Sequence, residues 1–209
     1  MLPATRYSPR LLDIGERIVL AALFSYMVWT FVQDWLEGGS IVTAILLVSE
    51  GAVLVFVLVR RFTDDVSFRP GDWALAFVGS SAPLLVHPAG TGANAMLTAF
   101  CAILMLAGLM VQLAAKLTLR RSFGAVAANR GVKVGGPYRL VRHPMYAGYL
   151  MTHIGFLLIN PSAWNALAYS VCSLAQIGRI LAEEKLLNAD SKYREFVARV
   201  RYRLIPGVF

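Results

Sequence analysis

Six apolar segments separated by short polar connections dominate this chain of 209 residues. They are Ile18–Trp35, Ile41–Val59, Trp73–Val86, Ala95–Ala115, Met145–Ile159 and Ala163–Leu181. Several approach the roughly 20 residues that cross a bilayer as a helix, although the third and fifth are shorter. Hydrophobic residues make up 57% of the sequence, above the roughly 45–50% of soluble domains. The pattern predicts an all-α fold, a polytopic integral membrane helical bundle of about five to six transmembrane segments that ends in a helical hairpin.

Lysine and arginine follow the alternation of the segments. The chain has 20 of them and a net charge of +8, and they lie before the first segment, between the second and third, after the fourth, and from the end of the sixth onwards. The connections Glu37–Ser40, His87–Asn94 and Asn160–Ser162 contain none. The positive-inside rule therefore predicts a multi-pass protein with both termini in the cytoplasm. We expect these cations to contact membrane lipids and not nucleic acid, because no recognition motif accompanies them.

The domain organisation is simple. The sequence shows no internal repeat, low-complexity tract or separable soluble domain, so residues 1–209 are expected to form a single membrane domain. Cys101 and Cys172 lie inside apolar segments without the spacing of metal ligands. We predict that both pack as small hydrophobic residues and that the chain has no metal site.

A polar stretch, Gly136–Gly148, precedes and enters the fifth apolar segment, and combines arginines, a histidine and two tyrosines. Pro144 suits the first turn of a helix, where its missing N–H costs nothing. Asn160-Pro161 then turns the chain, so the fifth and sixth segments form a hairpin. The returning helix is expected to place Glu183 and Glu184 beside Arg142 and His143 at the cytoplasmic face.

These two clusters resemble the cofactor-binding signature of the isoprenylcysteine carboxyl methyltransferase family and its phospholipid methyltransferase relatives. In that signature Arg-His-Pro-x-Tyr-x-Gly is followed, one membrane hairpin later, by Glu-Glu. The chain matches both parts, as Arg142–Gly148 and Glu183-Glu184. The resemblance runs from about Leu119 to the end. It implies a cofactor-binding region over residues 119–209 and substrate-facing transmembrane helices over residues 1–118.

The resemblance implies S-adenosylmethionine as the cofactor. The residues expected to hold it are Tyr138, Arg139, Arg142, His143, Tyr146, Gly148, Glu183 and Glu184. Their types suit its parts, since carboxylates can accept from the ribose hydroxyls or pair with the ammonium, and arginines can bind the methionyl carboxylate. Tyrosine rings can face the purine or the sulfonium. The sequence leaves open which atom each residue contacts.

Two further ionisable residues are candidate catalytic residues. Arg179 lies close to the glutamate pair, although its spacing from Glu183 also suits a helical ion pair. Glu50 lies near the middle of the second segment, where an ionisable group favours a functional role. The alternative is a neutral Glu50 bonded to Gln112, Gln176 or a backbone carbonyl.

Other polar residues near the candidate site have less specific expectations. His153, in the fifth segment, is expected to form an interhelical hydrogen bond, with a catalytic role as the alternative. Lys116, at the end of the fourth segment, is expected to extend to the lipid headgroups. The tail around Arg201-Tyr202-Arg203 resembles the family's usual ending, and its arginines could contact the cofactor, a lipid phosphate or the membrane interface.

The resemblance implies a membrane methyltransferase that uses S-adenosylmethionine on a lipophilic substrate from the bilayer, with its active site in the cytoplasm. Isoprenylcysteine-type carboxyl O-methylation is the first expectation, with phospholipid N-methylation or small-thiol S-methylation as alternatives. Two other classes share features with the chain. An NADPH-dependent sterol-type reductase has a similar C-terminal region but a longer chain, and a non-catalytic membrane scaffold would leave the charged cluster without a ligand. The methyl acceptor and the oligomeric state stay open.

Overall fold

The computed structural model describes residues 8–38, 41–87 and 94–209, and within these ranges the regular structure is helical. The α-helices in chain order are α1 (Pro9–Leu36), α2 (Ile41–Val59), α3 (Pro70–Ser81), α4 (Ala95–Leu119), α5 (Pro144–Ile159), α6 (Ala163–Leu187) and α7 (Ser191–Arg199). The predicted all-α fold is confirmed for these ranges. The third predicted segment is a helix followed by a 3₁₀ turn, and α7 is an addition to the prediction.

The helices begin where local chemistry favours a helix start. Proline occupies the first turn of α1, α3 and α5, including the predicted Pro144. Helices α4, α6 and α7 are capped at their N-termini by Asn94, Ser162 and Asp190, whose side chains accept a hydrogen bond from a backbone N–H of the first turn. The first N–H groups of a helix have no acceptor inside the helix. Proline has no N–H group at such a position, and a capping side chain accepts a hydrogen bond from one of them.

Helices α4 and α5 pack with their backbones in contact. A Cβ atom added to Gly108 would lie 2.7 Å from the carbonyl oxygen of Gly148, and one added to Gly148 would lie 2.6 Å from that of Gly108. Close helix approach of this kind needs small residues. Gly148 therefore permits the approach of a neighbouring helix, which joins the hairpin of α5 and α6 to α4.

The helices alternate in direction, and polar residues gather at one end of the bundle. At this polar end α1, α3 and α5 begin and α2, α4 and α6 finish, as the 3.0 Å contact of Arg60 with Asp13 and the 3.1 Å contact of His143 with Glu184 show. At the opposite end, Asn165 donates to the His87 carbonyl oxygen at 2.8 Å. The described connections at that opposite end contain no Lys or Arg.

Loop 123–133, between α4 and the motif stretch, lies across the polar end. It runs beside the connection between α2 and α3, with an antiparallel bridge of Val66 and Ala128. The Ser67 N–H donates to the Ala127 carbonyl oxygen at 2.9 Å. The loop is thereby held over the ends of the helices that carry the polar clusters.

The length and hydrophobicity of each helix indicate whether it could cross a membrane. Among the described residues one helix, Ala95–Ser122, is long and apolar enough to cross a membrane. Leu46–Val59 and Pro144–Ile159 are shorter apolar helices. The number of crossings and the cytoplasmic termini stay predictions, and the predicted turns at residues 39–40 and 88–93 lie outside the described residues.

The structure shows how the two cysteines and His153 pack in the interior. Cys101 and Cys172 are buried with free thiols, which confirms that they pack as small residues. His153 contacts α6 by stacking on Tyr169, with ring centroids 4.4 Å apart. Its Nδ1 has no hydrogen-bond partner among the described residues, so ring stacking takes the place of the predicted interhelical hydrogen bond.

Candidate functional site

The motif stretch and the glutamate pair meet at the polar end of the bundle. Glu184 accepts from His143 Nε2 at 3.1 Å, and its Oε1 also lies 3.1 Å from Arg142 Nη1. Its Oε2 accepts from Arg203 Nε at 2.8 Å. The predicted proximity of Glu184 to Arg142 and His143 is confirmed.

Glu184 is an internal anion whose partners are supplied by the protein. Burial disfavours its charge, but hydrogen bonds from His143 and Arg203, together with the charge of Arg142, lower the pKa of the carboxyl. Because an ionised carboxylate only accepts hydrogen bonds, His143 must carry its proton on Nε2. Glu184 therefore fixes the motif in place and has little capacity left for a ligand.

Glu183 has a different environment. Its side chain is 23% exposed, against 7% for Glu184. Glu183 accepts from the Tyr146 hydroxyl at 2.7 Å and lies 3.6 Å from His143 Nδ1. Of the two adjacent carboxylates, Glu183 is the one with room to contact a ligand.

A cavity of about 100 Å³ lies beside Glu183. Five residues of the motif stretch line it, namely Tyr138, Arg142, His143, Met145 and Tyr146. Burial, with a smaller effect from nearby Glu183, raises the pKa of the Tyr138 hydroxyl, so this residue stays neutral. Arg142 Nε is buried and has no hydrogen-bond partner among the described residues. The cavity thus offers a carboxylate, a guanidinium with an unused donor, and aromatic rings.

The opposite wall of this cavity comes from loop 123–133. Gly124, Val126, Arg130 and Lys133 are among its lining residues, and aromatic side chains of α7 complete the enclosure. The loop contributes Lys133 as a further cation to a space that already contains Arg142, while the charge of Arg130 is paired with Asp13 and Glu16. This charge suits an anionic group of a ligand better than an extended apolar one.

The C-terminal tail holds the motif by its backbone. The N–H groups of Arg142 and His143 donate to the carbonyl oxygens of Tyr202 and Arg203, both at 2.9 Å. Arg203 also binds Glu184. Arg203 therefore binds another side chain of the protein and not, as considered from the sequence, a lipid phosphate or the membrane interface. The resemblance of the tail to the family's ending had indicated that this residue belongs near the site.

Arg179 joins α6 to the loop and to the motif. Its Nη2 donates to the Ala125 carbonyl oxygen at 2.9 Å, and its guanidinium lies 5.3 Å from the centre of the Tyr146 ring. This contact with Ala125 replaces the helical ion pair with Glu183 that the spacing suggested. The catalytic role of Arg179 stays a prediction, since Arg179 does not itself line the cavity.

Three predicted site residues lie away from the cavity. Arg139 is exposed, and Gly148 packs against α4. Glu50 binds Lys116 Nζ at 2.6 Å and Ser49 Oγ at 2.9 Å, deep among α2 and α4. The partner of Glu50 is thus Lys116 and none of the groups considered from the sequence, and buried Lys116 does not extend to headgroups. The roles predicted for these residues are not tested by their positions.

A cluster that sequence reasoning missed lies behind the loop. This α1 charge cluster consists of Asp13, Glu16, Arg60 and Arg130, each at most 5% exposed. Arg130 Nη2 lies 2.6 Å from Asp13 and 2.8 Å from Glu16, and Arg60 Nη2 lies 3.0 Å from both carboxylates. The available signal was two acidic residues three apart, on one face of α1.

An apolar groove of about 440 Å³ opens between α1 and α3. Val19 and Leu23 line it from α1, and Phe77 and Leu84 line it from α3 and the turn after it. Its inner end is closed by loop 123–133, where Val126 lines both this groove and the polar cavity. Val126 therefore borders both a polar cavity and a mainly apolar groove.

Comparison with known proteins finds a family whose model matches the part of the chain that contains this site. Residues 91–190 match the model of a family described as phospholipid methyltransferase. The matched part contains α4, loop 123–133, the motif stretch, α5 and the glutamate pair. No curated protein matches the chain. The similarity is to methyltransferases of lipids, and the narrower likeness to the isoprenylcysteine enzymes is not part of it.

Proposed function

We propose that the protein is an integral membrane methyltransferase that transfers a methyl group from S-adenosylmethionine to a lipid. The observation that carries the proposal is the shared wall at Val126, with a polar cavity on one side and an apolar groove on the other. A polar cofactor and a lipophilic acceptor need such different surroundings while their reacting atoms meet. The family match over residues 91–190 supports the same function.

The residues of the cavity suit the cofactor chemically. Glu183 can accept from the ribose hydroxyls or pair with the ammonium, and the unused Nε of Arg142 can donate to the methionyl carboxylate. Tyr138 and Tyr146 can present ring faces to the purine or the sulfonium. The bound cofactor would supply an activated methyl group, while these side chains would orient it.

The cavity of about 100 Å³ is smaller than the roughly 300 Å³ of small ligand sites. Cofactor binding therefore requires one wall to move outwards. Loop 123–133 is the wall that contains no regular helix. We expect residues 131–133 of this loop, which line the cavity beyond the residues that Glu16 contacts, to adjust when the cofactor enters.

Large apolar side chains on the outer helix faces support the membrane location. Ile18, Trp29, Ile103 and Leu174 are each at least 63% exposed. Extended apolar surface of this kind is unfavourable in water and favourable in lipid. With all cations of the described connections at one end, the bundle suits a multi-pass orientation whose polar end is cytoplasmic.

Two acceptor chemistries fit the groove. The family match favours the amine headgroup of a phospholipid, which must lose a proton before attack. The second candidate, from the sequence motif, is the carboxylate of an isoprenylated cysteine, which needs no base. In both cases methyl transfer is an in-line displacement in which positioning supplies much of the catalysis.

The test is methyl transfer by purified protein in lipid nanodiscs with methyl-labelled S-adenosylmethionine. One arm supplies dioleoylphosphatidylethanolamine and the other supplies N-acetyl-S-farnesylcysteine. We expect label in one lipid product. Ser80 of α3 also lines the groove, so Ser80→Trp should place an indole ring there and reduce the label. The matched control is Leu174→Trp on the outer face of α6, which should retain activity. Absence of label in both arms, or equal activity of the Ser80 and Leu174 variants, would contradict the proposal.

A further inference from the structure

The α1 charge cluster buries four charges at the polar end without using the predicted motif. Taking such ions out of water is costly, and a buried ion pair often stabilises a protein no more than apolar residues of similar size. Removing one partner, however, leaves an unpaired buried charge and is strongly unfavourable. A gain in stability is therefore a weak explanation for the α1 charge cluster. The groups that its charged side chains hold in place indicate its role.

Glu16 has two separate sets of partners. Its Oε2 binds Arg130 at 2.8 Å and Arg60 at 3.0 Å. Its Oε1 accepts from the backbone N–H groups of Ala125 at 2.7 Å and Val126 at 3.0 Å. One carboxylate thus fixes both the side chain and the backbone of loop 123–133.

The backbone that Glu16 holds is the shared wall. Glu16 and Ala125 line the apolar groove, and Val126 lines the groove and the cavity. On its other side Ala125 accepts from Arg179, whose guanidinium lies over Tyr146 of the cavity. A continuous set of contacts therefore runs from α1, through the wall, to the motif.

We infer that Glu16 is a positioning residue for the methyl transfer, which sets the place of the Ala125-Val126 wall between the cofactor cavity and the acceptor groove. The inference rests on the proposed function. Because α1 forms one side of the groove, a lipid chain bound there contacts the same helix whose Glu16 holds the Ala125-Val126 wall. Glu16 thereby couples the acceptor groove to cofactor binding.

The informative variant is Glu16→Gln, which keeps the shape and removes the charge. An amide can turn its oxygen towards the two N–H groups or towards the two arginines, but its NH₂ group then faces donors on the other side. One set of contacts is lost in either orientation. Loop 123–133 should loosen while α1 stays helical.

Two measurements distinguish positioning from general stability. Amide hydrogen exchange by mass spectrometry reports the hold on the peptide that contains Ala125 and Val126, and calorimetry reports binding of S-adenosylhomocysteine. The control is Asn165→Leu, which breaks a buried polar contact about 21 Å along α6 from Arg179, the residue of α6 that contacts the wall, at 1.5 Å per residue. Both proteins are compared at the same interval below their melting temperatures.

We expect Glu16→Gln to speed exchange in this peptide and to weaken S-adenosylhomocysteine binding about tenfold, with a lower kcat for the lipid acceptor. Asn165→Leu should show parental exchange in the peptide and parental affinity. Unchanged exchange and affinity in Glu16→Gln, or equal changes in both variants, would overturn the inference. If the parent binds no S-adenosylhomocysteine, the proposed function fails, whereas unchanged exchange with a binding-competent parent rejects only the role of Glu16.

Discussion

The Glu184 carboxylate accepts a hydrogen bond from His143 Nε2 at 3.1 Å, although the two residues are 41 positions apart in the chain. The hairpin of α5 and α6 produces this contact by returning the chain to the polar end. Arg142 and Arg203 bind the same carboxylate, so the contact joins the motif stretch, α6 and the tail. Glu184 is the central anion of this end of the molecule.

Removing that anion should destabilise the fold. Glu184→Gln leaves the buried Arg142 without its charged partner, and breaking a buried pair costs about 3–5 kcal/mol. We expect a lower melting temperature in detergent, with retained helicity by circular dichroism. An exposed charge, Glu195, provides the control, since Glu195→Gln should melt as the parent does. Equal melting of all three proteins would show that Glu184 is not a structural anion.

The lowered pKa of Glu184 predicts how stability depends on pH. The folded carboxyl binds its proton less readily than the unfolded one, so its stabilisation is present above the unfolded value of about 4.3. The stabilisation disappears as the pH falls through the lower folded value. The difference in melting temperature between parent and Glu184→Gln should therefore shrink at acid pH. A difference that is constant from about pH 7 to about pH 3 would contradict the assignment.

A second stability prediction concerns the contact of α4 and α5. In Gly148→Ala the new Cβ would meet the Gly108 carbonyl oxygen at 2.6 Å, and such overpacking costs about 1–3 kcal/mol. Gly51→Ala is the matched control, because its Cβ would have no neighbour within 4 Å. Alanine in that helix interior should be neutral or stabilise by about 0.5–1 kcal/mol. Thermal melts that rank the variants in the opposite order would reject the packing.

The sequence predicted the parts of the fold that depend on local chemistry. Apolar segment length and Pro144 located the helices, and the Asn160-Pro161 turn implied the hairpin that brings Glu184 to His143. The short helix α7 was missed because its nine residues contain no long apolar run, and only Tyr193 and Phe196 are buried.

Long-range charge pairs were the part that sequence could not predict. Glu50 pairs with Lys116, which lies 66 positions away in the chain, and Asp13 pairs with Arg130, which lies 117 positions away. Many cations could have been partners, and the choice depends on how α4 and loop 123–133 pack. The division of roles between Glu183 and Glu184 likewise depends on the tail, whose Arg203 occupies one of them.

The orientation in the membrane can be tested by cysteine labelling in intact cells. Glu37 and Lys192 are exposed at opposite ends of the bundle. If the polar end is cytoplasmic, a membrane-impermeant maleimide should label Glu37→Cys and spare Lys192→Cys until the cells are opened. The native Cys101 and Cys172 are buried and should give little background. Labelling of Lys192→Cys alone would invert the orientation.

Binding of S-adenosylhomocysteine to the purified protein, measured by calorimetry beside NADPH, tests the central claim most directly. We predict that the parent binds S-adenosylhomocysteine and not NADPH. Glu183→Gln, which loses the carboxylate beside the cavity, should bind at least tenfold more weakly, about 1.4 kcal/mol, with little change in melting temperature. Binding of NADPH alone, or parental affinity in a well-folded Glu183→Gln, would contradict the account.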